Sequence, residues 1–475
     1  MSTVRRVARN TGIIIVGEIV FRLISLVVTI YLARYLGTAG FGKYSFVFAY
    51  LAFFGVITDL GLQTILVREM SRDPSITPKL IGNAYIIRLI LTVTAIISSI
   101  VVITLMSYPV DTTTYVYIAS LTLLFISFSD FYRTIFEANL RMEYSIIAKL
   151  AFKGLSAGLI LWIVFAKGTL LHIMIALVFS ETVKTLLSYL FSRKFVRARF
   201  EIDFKLWRYL LREALPLALS SVILIIYHRI DVVMLSMMKG DTPVGLYSAA
   251  YKLSEPLSLI PSALVMSLFP IMSASFKSSG EKLIKTYRLG VKYLLIIMLP
   301  IAVGTTLIAD KIIFLIYGQE FFGSASTLRI LIWTLIFTSA SHVSLRLLIS
   351  IGKQRLNTVS HTLCAIINIV LNLTLIPIMS YNGAAIATLA TNMFLFALSF
   401  CFVSRSIGTP PLHKMLIKPT IGGILMGIFV YYLKDFNILL LSFMALVIYL
   451  IALLFLKTFT NEDMDIIKVL ILNRK

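Results

Sequence analysis

Thirteen ionisable side chains stand inside long apolar runs. The basic set is Arg22, Arg88, Lys153, Lys184, Arg229, Lys252 and Arg346; the acidic set is Glu18, Asp59, Asp130, Glu181, Asp231 and Glu255. A charge near the centre of a bilayer costs roughly 2.5–3.5 kcal/mol on an insertion scale, so each needs a partner, water or a ligand. Guanidinium and ammonium groups held away from bulk water suit an anionic phosphate, to which they give charge-assisted hydrogen bonds. Glu18 and Arg22 are four residues apart, Lys252 and Glu255 three, spacings that put each pair on one helix face. Arg22 is expected about 15 Å deep and the Lys252–Glu255 pair about 12–16 Å from the outer side by helical rise. Arg88, Lys153, Lys184 and Arg346 lie nearer the inner surface, where snorkelling or salt bridges also account for them. Arg229 and Asp231 lie nearer the outer surface. Pro256 and Pro261 each remove a helical hydrogen bond, so KLSEPLSLIP predicts a broken helix; freed carbonyls beside Glu255 suit an ion site, and a plain kink suits the same residues.

Other chemistries fail. LGTAGFGKYS, Leu36 to Ser45, approaches a phosphate loop, but Tyr44 stands where such a loop needs Ser or Thr to hold Mg²⁺. His172, His342 and His361 show no metal-ligand spacing, and Cys364 and Cys401 both sit in apolar spans. No clustered carboxylates occupy a large outside loop. Neither catalytic residues, a metal site nor a cofactor is expected.

The elements that position these charges are membrane spans. Of 475 residues, 59% are hydrophobic and 14% charged, well under the quarter usual for soluble domains. About fourteen apolar runs of spanning length fall near 12–34, 43–66, 80–106, 114–136, 146–166, 169–191, 211–236, 244–272, 289–309, 325–350, 357–378, 382–404, 415–433 and 438–457. With the N-terminus in the cytoplasm, most of the 44 Lys and Arg residues fall in inside loops, while outside loops hold only Arg34, Lys43, Lys167, Lys239, Lys311, Arg329 and Lys434. That asymmetry accounts for the net charge of +22 and predicts cytoplasmic N- and C-termini. It leaves no basic soluble domain to grip nucleic acid.

LGTAGFGKYS then becomes a short outside turn between spans one and two. KGDTPVGLYS, Lys239 to Ser248, repeats it six spans later: Gly37 aligns with Gly240, Gly42 with Gly245, Tyr44 with Tyr247 and Ser45 with Ser248. A shift of six spans is what a duplicated six-helix bundle predicts. The longest inside linker, Arg193 to Arg212, separates the halves. Its tail sets Phe204, Trp207, Leu210 and Leu211 at helical spacing among Lys205, Arg208 and Arg212, like an interfacial helix. Asn368 and Asn372, one turn apart, suit a sugar or helix-to-helix glue. The last two spans, nearly free of charge, read as an appendage facing lipid.

The stretch RYLGTAGFGKYSFVFAYLAFFGVITDLGL, Arg34 to Leu62, resembles the opening of the polysaccharide-biosynthesis flippases of the multidrug/oligosaccharidyl-lipid/polysaccharide exporter superfamily. DVVMLSMMKGDTPVGLYSAAYKL, Asp231 to Leu253, resembles the corresponding motif of their second half. The resemblance implies an all-α polytopic membrane protein: lobes at 1–200 and 201–406 in pseudo-twofold arrangement, with two further helices at 407–475. It implies a V-shaped cavity lined by spans one, two, seven and eight. It also implies alternating access that carries a lipid-(di)phosphate-linked oligosaccharide to the outer leaflet of the plasma membrane. On that reading Arg22, Lys252, Arg229 and Arg88 are candidates for the substrate phosphate, and Glu255, Glu18 and Asp59 for ion coupling. The partners are the lipid-linked oligosaccharide, membrane lipids and glycan-assembly enzymes, with no nucleotide. A multidrug or organic-cation exporter of the same superfamily is the alternative, followed by a polytopic glycosyltransferase or polymerase.

Overall fold

The computed structural model describes residues 3–196, 199–278, 280–409 and 412–459, and these are helical almost throughout. The helices are α1 (Thr3–Asp59), α2 (Leu62–Arg72), α3 (Thr77–Leu105), α4 (Val110–Ala138), α5 (Glu143–Phe165), α6 (Leu170–Ser192), α7 (Phe204–Lys239), α8 (Asp241–Ser254), α9 (Leu259–Ser278), α10 (Gly280–Tyr317), α11 (Ser324–Ser350), α12 (Arg355–Ile407), α13 (Leu412–Tyr432) and α14 (Ile438–Phe455). Among the described residues, twelve helical stretches are long and apolar enough to cross a membrane. The chain is therefore an all-α, multi-pass membrane protein. Two of the twelve, Val20–Arg72 and Arg355–Ile407, are 53 residues long, about 80 Å at helical rise against a hydrocarbon core of about 30 Å. The backbone leaves helical geometry inside each, at Gly37 (φ 67°) and Ser380 (φ 51°). Each is thus two passages in series, which brings the count to about fourteen. The turns expected between spans one and two and between spans eleven and twelve are tighter than the sequence suggested. The second doubles back so sharply that Gly383 packs on the carbonyl of Leu375.

The chain forms two compact units, Met1–Gly245 and Leu246–Lys475. In the first, Leu62 and Leu66 of α2, Leu80 and Ala84 of α3, Phe131 and Phe136 of α4 and Leu210 and Ala214 of α7 make one apolar cluster. Lipid tails are as apolar as leucine, so helix association in a bilayer relies on close packing and hydrogen bonds. Tyr50 of α1 donates to the carbonyl of Ser99 (2.7 Å), and Thr185 of α6 to that of Phe125 on α4 (2.7 Å). In the second unit Met298 of α10, Val343 and Leu347 of α11 and Met272 of α9 are buried together. Met426 and Val430 of α13 and Tyr449 of α14 pack on Ile296 and Ile308 of α10, while Phe443 and Phe455 of α14 stay exposed.

The linker before α7 is pinned to the start of α3. The Arg199 amide donates to the carbonyl of Pro78 (2.9 Å), and the Lys79 ammonium meets Asp203 (2.7 Å). Asn83 Oδ1 accepts from the Asp203 amide (2.9 Å) and the Trp207 indole (2.8 Å). Asp203 also caps α7, accepting from the amides of Lys205 and Leu206. The Lys79 hydrogen bond, then that of the Leu206 amide, holds the Asp203 carboxyl below its ordinary range. A helix does begin at Phe204, and it runs without a break into the span that follows.

The two repeated motifs meet within the first unit. Gly37 and Gly240 both adopt positive φ, 67° and 80°, a conformation that glycine adopts without steric cost. A Cβ on Gly42 would collide with the carbonyl of Asp241, and one on Gly245 with the carbonyl of Thr38. Asp241 is the counterpart of Thr38 at the same 203-residue shift, so each motif seats its glycine on the other's carbonyl. This reciprocal contact is the pattern of an isologous interface, here within one chain. Gly42→Ala and Gly245→Ala are each expected to destabilise the protein by about 1–3 kcal/mol through overpacking. Thermal unfolding in detergent checks this, with Gly304→Ala, which faces open space, as the silent control.

Candidate functional site

Span two breaks where the chain reads Asp59-Leu60-Gly61. Leu60 (φ 47°) and Gly61 (φ 84°) both enter the left-handed region, and the Asp59 carboxylate covers the exposed start of α2 by accepting from the amides of Gly61 (3.1 Å) and Gln63 (3.2 Å). Across from it, α3 presents Arg88, a residue only 1% exposed. Its Nη2 donates to Asp59 Oδ1 (2.7 Å), its Nε donates to Ser127 Oγ of α4 (3.1 Å), and its carbon lies 5.9 Å from the centre of the Phe131 ring. The structure thus brings together two residues that the sequence assigned to different roles. Arg88 is committed to Asp59 at a helix break, while its Nη1 is buried without a hydrogen-bond partner among the described residues.

Arg22 and Arg229 differ. Both are half-buried in helices of spanning length, and no described residue forms an ion pair or hydrogen bond with either. The Glu18 side chain, expected to pair with Arg22, lies outside the described residues. In the second unit Lys252 Nζ meets Glu255 Oε2 at 2.9 Å, with the two side chains 33% and 37% exposed, as their spacing predicts. The broken helix is also present: Glu255–Ser258 forms one 3-10 turn between α8 and α9, because Pro256 cannot donate to the carbonyl of Lys252.

Two further polar groups stand out. Lys43, just after the Gly42 contact, forms an ion pair with Asp111 and lies 3.9 Å from Asp241. Sequence reading left these three in separate loops, since nothing in their spacing joins them. In α12 the Asn372 amide donates to Asn368 Oδ1 (3.0 Å), and the Asn368 amide to Thr391 Oγ1 (3.4 Å), all buried. That arrangement matches the helix-to-helix glue expected of the two asparagines. A cavity of about 520 Å³ lies between α10, α13 and α14, lined by Ile296, Pro300, Met426, Val430 and Tyr449 among others. No charged residue lines it, so it does not suit a phosphate. Among the described residues no group of three or more His, Cys, Asp or Glu could hold a metal ion.

A family model described as "Polysaccharide biosynthesis protein" matches residues 7–276, and one described as "MatE" matches residues 216–374. The chain is similar to the lipid II flippase MurJ of Bacillus subtilis (strain 168), 28% identical over 175 residues, 35% of this chain and 32% of the relative. The chain spans about a third of the length of the curated relatives it matches. Among solved structures it resembles the lipid II flippase MurJ in an inward closed conformation, with TM-score 0.77, 15% identity and coverage of 92% of this chain and 97% of that one. It also resembles a multidrug resistance MATE family transporter in an inward-facing conformation, with TM-score 0.70, 18% identity and coverage of 82% and 94%. These structural likenesses are of fold.

The Arg88–Asp59 pair carries its own expectation. Asp59→Ala leaves a buried guanidinium without its carboxylate and should destabilise by about 3 kcal/mol, because breaking a buried pair strands the remaining charge. Asp59→Ala with Arg88→Met should recover part of that loss. Denaturation of both variants in detergent reads the difference, and equal stability of the single and double variants would contradict it.

Proposed function

The chain belongs to the polysaccharide biosynthesis protein family, and on that premise we propose that it is a flippase for a lipid-(di)phosphate-linked oligosaccharide. The observation that carries this reading is the pair of half-buried guanidiniums, Arg22 and Arg229, without described partners inside membrane-spanning helices. A phosphate headgroup cannot enter hydrocarbon unaided. Arginines held at depth replace part of its hydration with charge-assisted hydrogen bonds, and the lipid tail stays in the bilayer while the headgroup passes. Lys252 joins them by exchanging Glu255 for the substrate phosphate. That exchange releases Glu255 from Lys252 beside a broken helix, where a proton or cation can bind, so Glu255 is the assigned coupling group; Glu18 and Asp59 are secondary ones. Arg88 acts through Asp59 by holding the bend of span two.

In this reading the end carrying the linker and the start of α3 is cytoplasmic, by the excess of Lys and Arg in its loops, and both termini lie there. The division of the chain is 1–200, 201–406 and 407–475, with alternating access between the first two. The substrate is a product of membrane-bound glycan assembly, and movement is from the inner to the outer leaflet of the plasma membrane. The second reading is an organic-cation exporter, favoured by the MatE match over 216–374 and by the carboxylate of Glu255 at a helix break.

Reconstitution into liposomes with a labelled lipid-linked oligosaccharide separates the two. The expected result is exposure of the sugar on the far leaflet, slowed about tenfold or more in Arg22→Gln and Lys252→Gln, since one lost charge-assisted contact is worth 1.5–3 kcal/mol. Lys252→Arg should keep most of the rate. Normal flipping by both Gln variants would remove the phosphate assignment, and efflux of an organic cation without flipping would install the exporter instead.

A further inference from the structure

The start of α7 carries a column of cations that the rest of the described chain does not answer. Lys205, Arg208 and Arg212 follow one another at steps of three and four residues, so they stand on one face of the helix. All three are exposed, and no described residue forms an ion pair or hydrogen bond with any of their side chains. The carboxylates of the same stretch are each paired elsewhere: Glu201 with Arg199, Asp203 with Lys79 (2.7 Å) and Glu213 with Arg68 (3.0 Å). The same face continues through Leu215 and Leu219, 64% and 63% exposed. Along the helix it thus presents three cations over about 10 Å and then an apolar strip.

The linker before α7 adds apolar side chains at the same end. Its backbone lies close on α3, where a Cβ on Gly82 would collide with the Arg199 carbonyl, and the Trp207 indole is held by Asn83 (2.8 Å). Phe200, Ile202 and Phe204, at alternate positions, are left exposed, with the Phe204 ring 5.5 Å from that of Trp207. Leu211, Leu215 and Leu219 are exposed as well, so large apolar side chains flank the cations on the linker and along the helix. Contiguous apolar surface of this kind marks a membrane or partner contact rather than an aqueous face. Cations beside it suit the boundary between headgroups and acyl chains.

We propose that this face of α7 binds an anionic phospholipid of the inner leaflet, its phosphate among Lys205, Arg208 and Arg212 and an acyl chain along Leu215 and Leu219. Charge complementarity selects the occupant. A phosphate diester with an uncharged headgroup brings a net negative charge to the three cations, whereas a zwitterionic lipid also brings an ammonium that they repel. The order of the column matches that of the lipid: charges at the helix start, where the linker holds α7 to the first turns of α3, and leucines further along. Placement in the inner leaflet rests on the orientation proposed above; the affinity itself does not. Arg229, assigned to the transported headgroup, lies about 25 Å further along α7, so the two sites are distinct.

Trp207 reports on this site. With Trp162→Phe and Trp333→Phe it is the one left of three tryptophans, and lipids brominated on their acyl chains quench its fluorescence on contact. The full chain is reconstituted in bilayers of phosphatidylcholine with increasing brominated phosphatidylglycerol, and in the converse mixture. Phosphatidylglycerol should be preferred about tenfold or more at Trp207, since each cation near an anionic leaflet is worth about fivefold. Lys205→Gln with Arg208→Gln and Arg212→Gln should abolish the preference, and Arg208→Gln alone should lower it about fivefold. Lys205→Arg with Arg208→Lys and Arg212→Lys should keep it within about threefold. The single variant decides the matter if the triple Gln variant does not fold. Equal quenching by the two lipids in the wild type, or an undiminished preference in the Gln variants, would overturn the site. Relief of the quenching by farnesyl diphosphate at about a hundredth of the phosphatidylglycerol content would overturn the phospholipid assignment in favour of the transported lipid, and no relief supports it. Both leaflets carry the brominated lipid, so the result does not depend on orientation, and a failure here leaves the flippase reading intact.

Discussion

Hydrocarbon offers no hydrogen bonds, so every backbone amide and every charge inside it has to be satisfied by the protein itself. That constraint explains why the described chain is helical almost throughout, and why its departures from helical geometry fall where something else takes over the freed groups. At Asp59-Leu60-Gly61 a carboxylate accepts the amides that the break releases, and an arginine from α3 steadies the carboxylate. At Glu255–Ser258 a single 3-10 turn carries the chain past Pro256. At Gly37 and Gly240 glycine adopts the conformation that most other residues resist.

The same constraint sorts the charged residues. Arg88 is sealed against Asp59 and Ser127, so its charge is neutralised within the fold. Lys252 and Glu255 neutralise one another while remaining partly exposed. Arg22 and Arg229 are half-buried without described partners, the state suited to an anion that arrives and leaves. Lys149 and Lys153 both approach the ring of Phe21 on the neighbouring helix. The charges thus range from one sealed within the fold to ones that the described residues leave without a partner, and the proposed phosphate contacts are drawn from the latter end.

The reciprocal glycine contact gives the internal repeat a physical meaning. Two motifs 203 residues apart each place a glycine on the other's carbonyl, at Gly42 with Asp241 and at Gly245 with Thr38. A backbone approach that close tolerates no side chain at either position. The repeat therefore reflects a packing requirement made twice, once for each copy, and the Lys43, Asp111 and Asp241 cluster lies beside it.

Much of this was legible in the amino-acid sequence. Apolar runs of spanning length made the membrane and the approximate number of passages plain, because the cost of exposing a backbone amide to lipid leaves few alternatives. Lys252 with Glu255 and the break at Pro256 could also be read, since both depend on spacing within one helix. Tertiary structure alone decided which helices meet. Arg88 and Asp59, 29 residues apart, carried no mark of their pairing, and neither did Phe21 with Lys149 and Lys153, or Lys43 with Asp111. The physical reason is that periodicity places a side chain on a face of its own helix, while its energy in a membrane depends on what the neighbouring helix presents to that face.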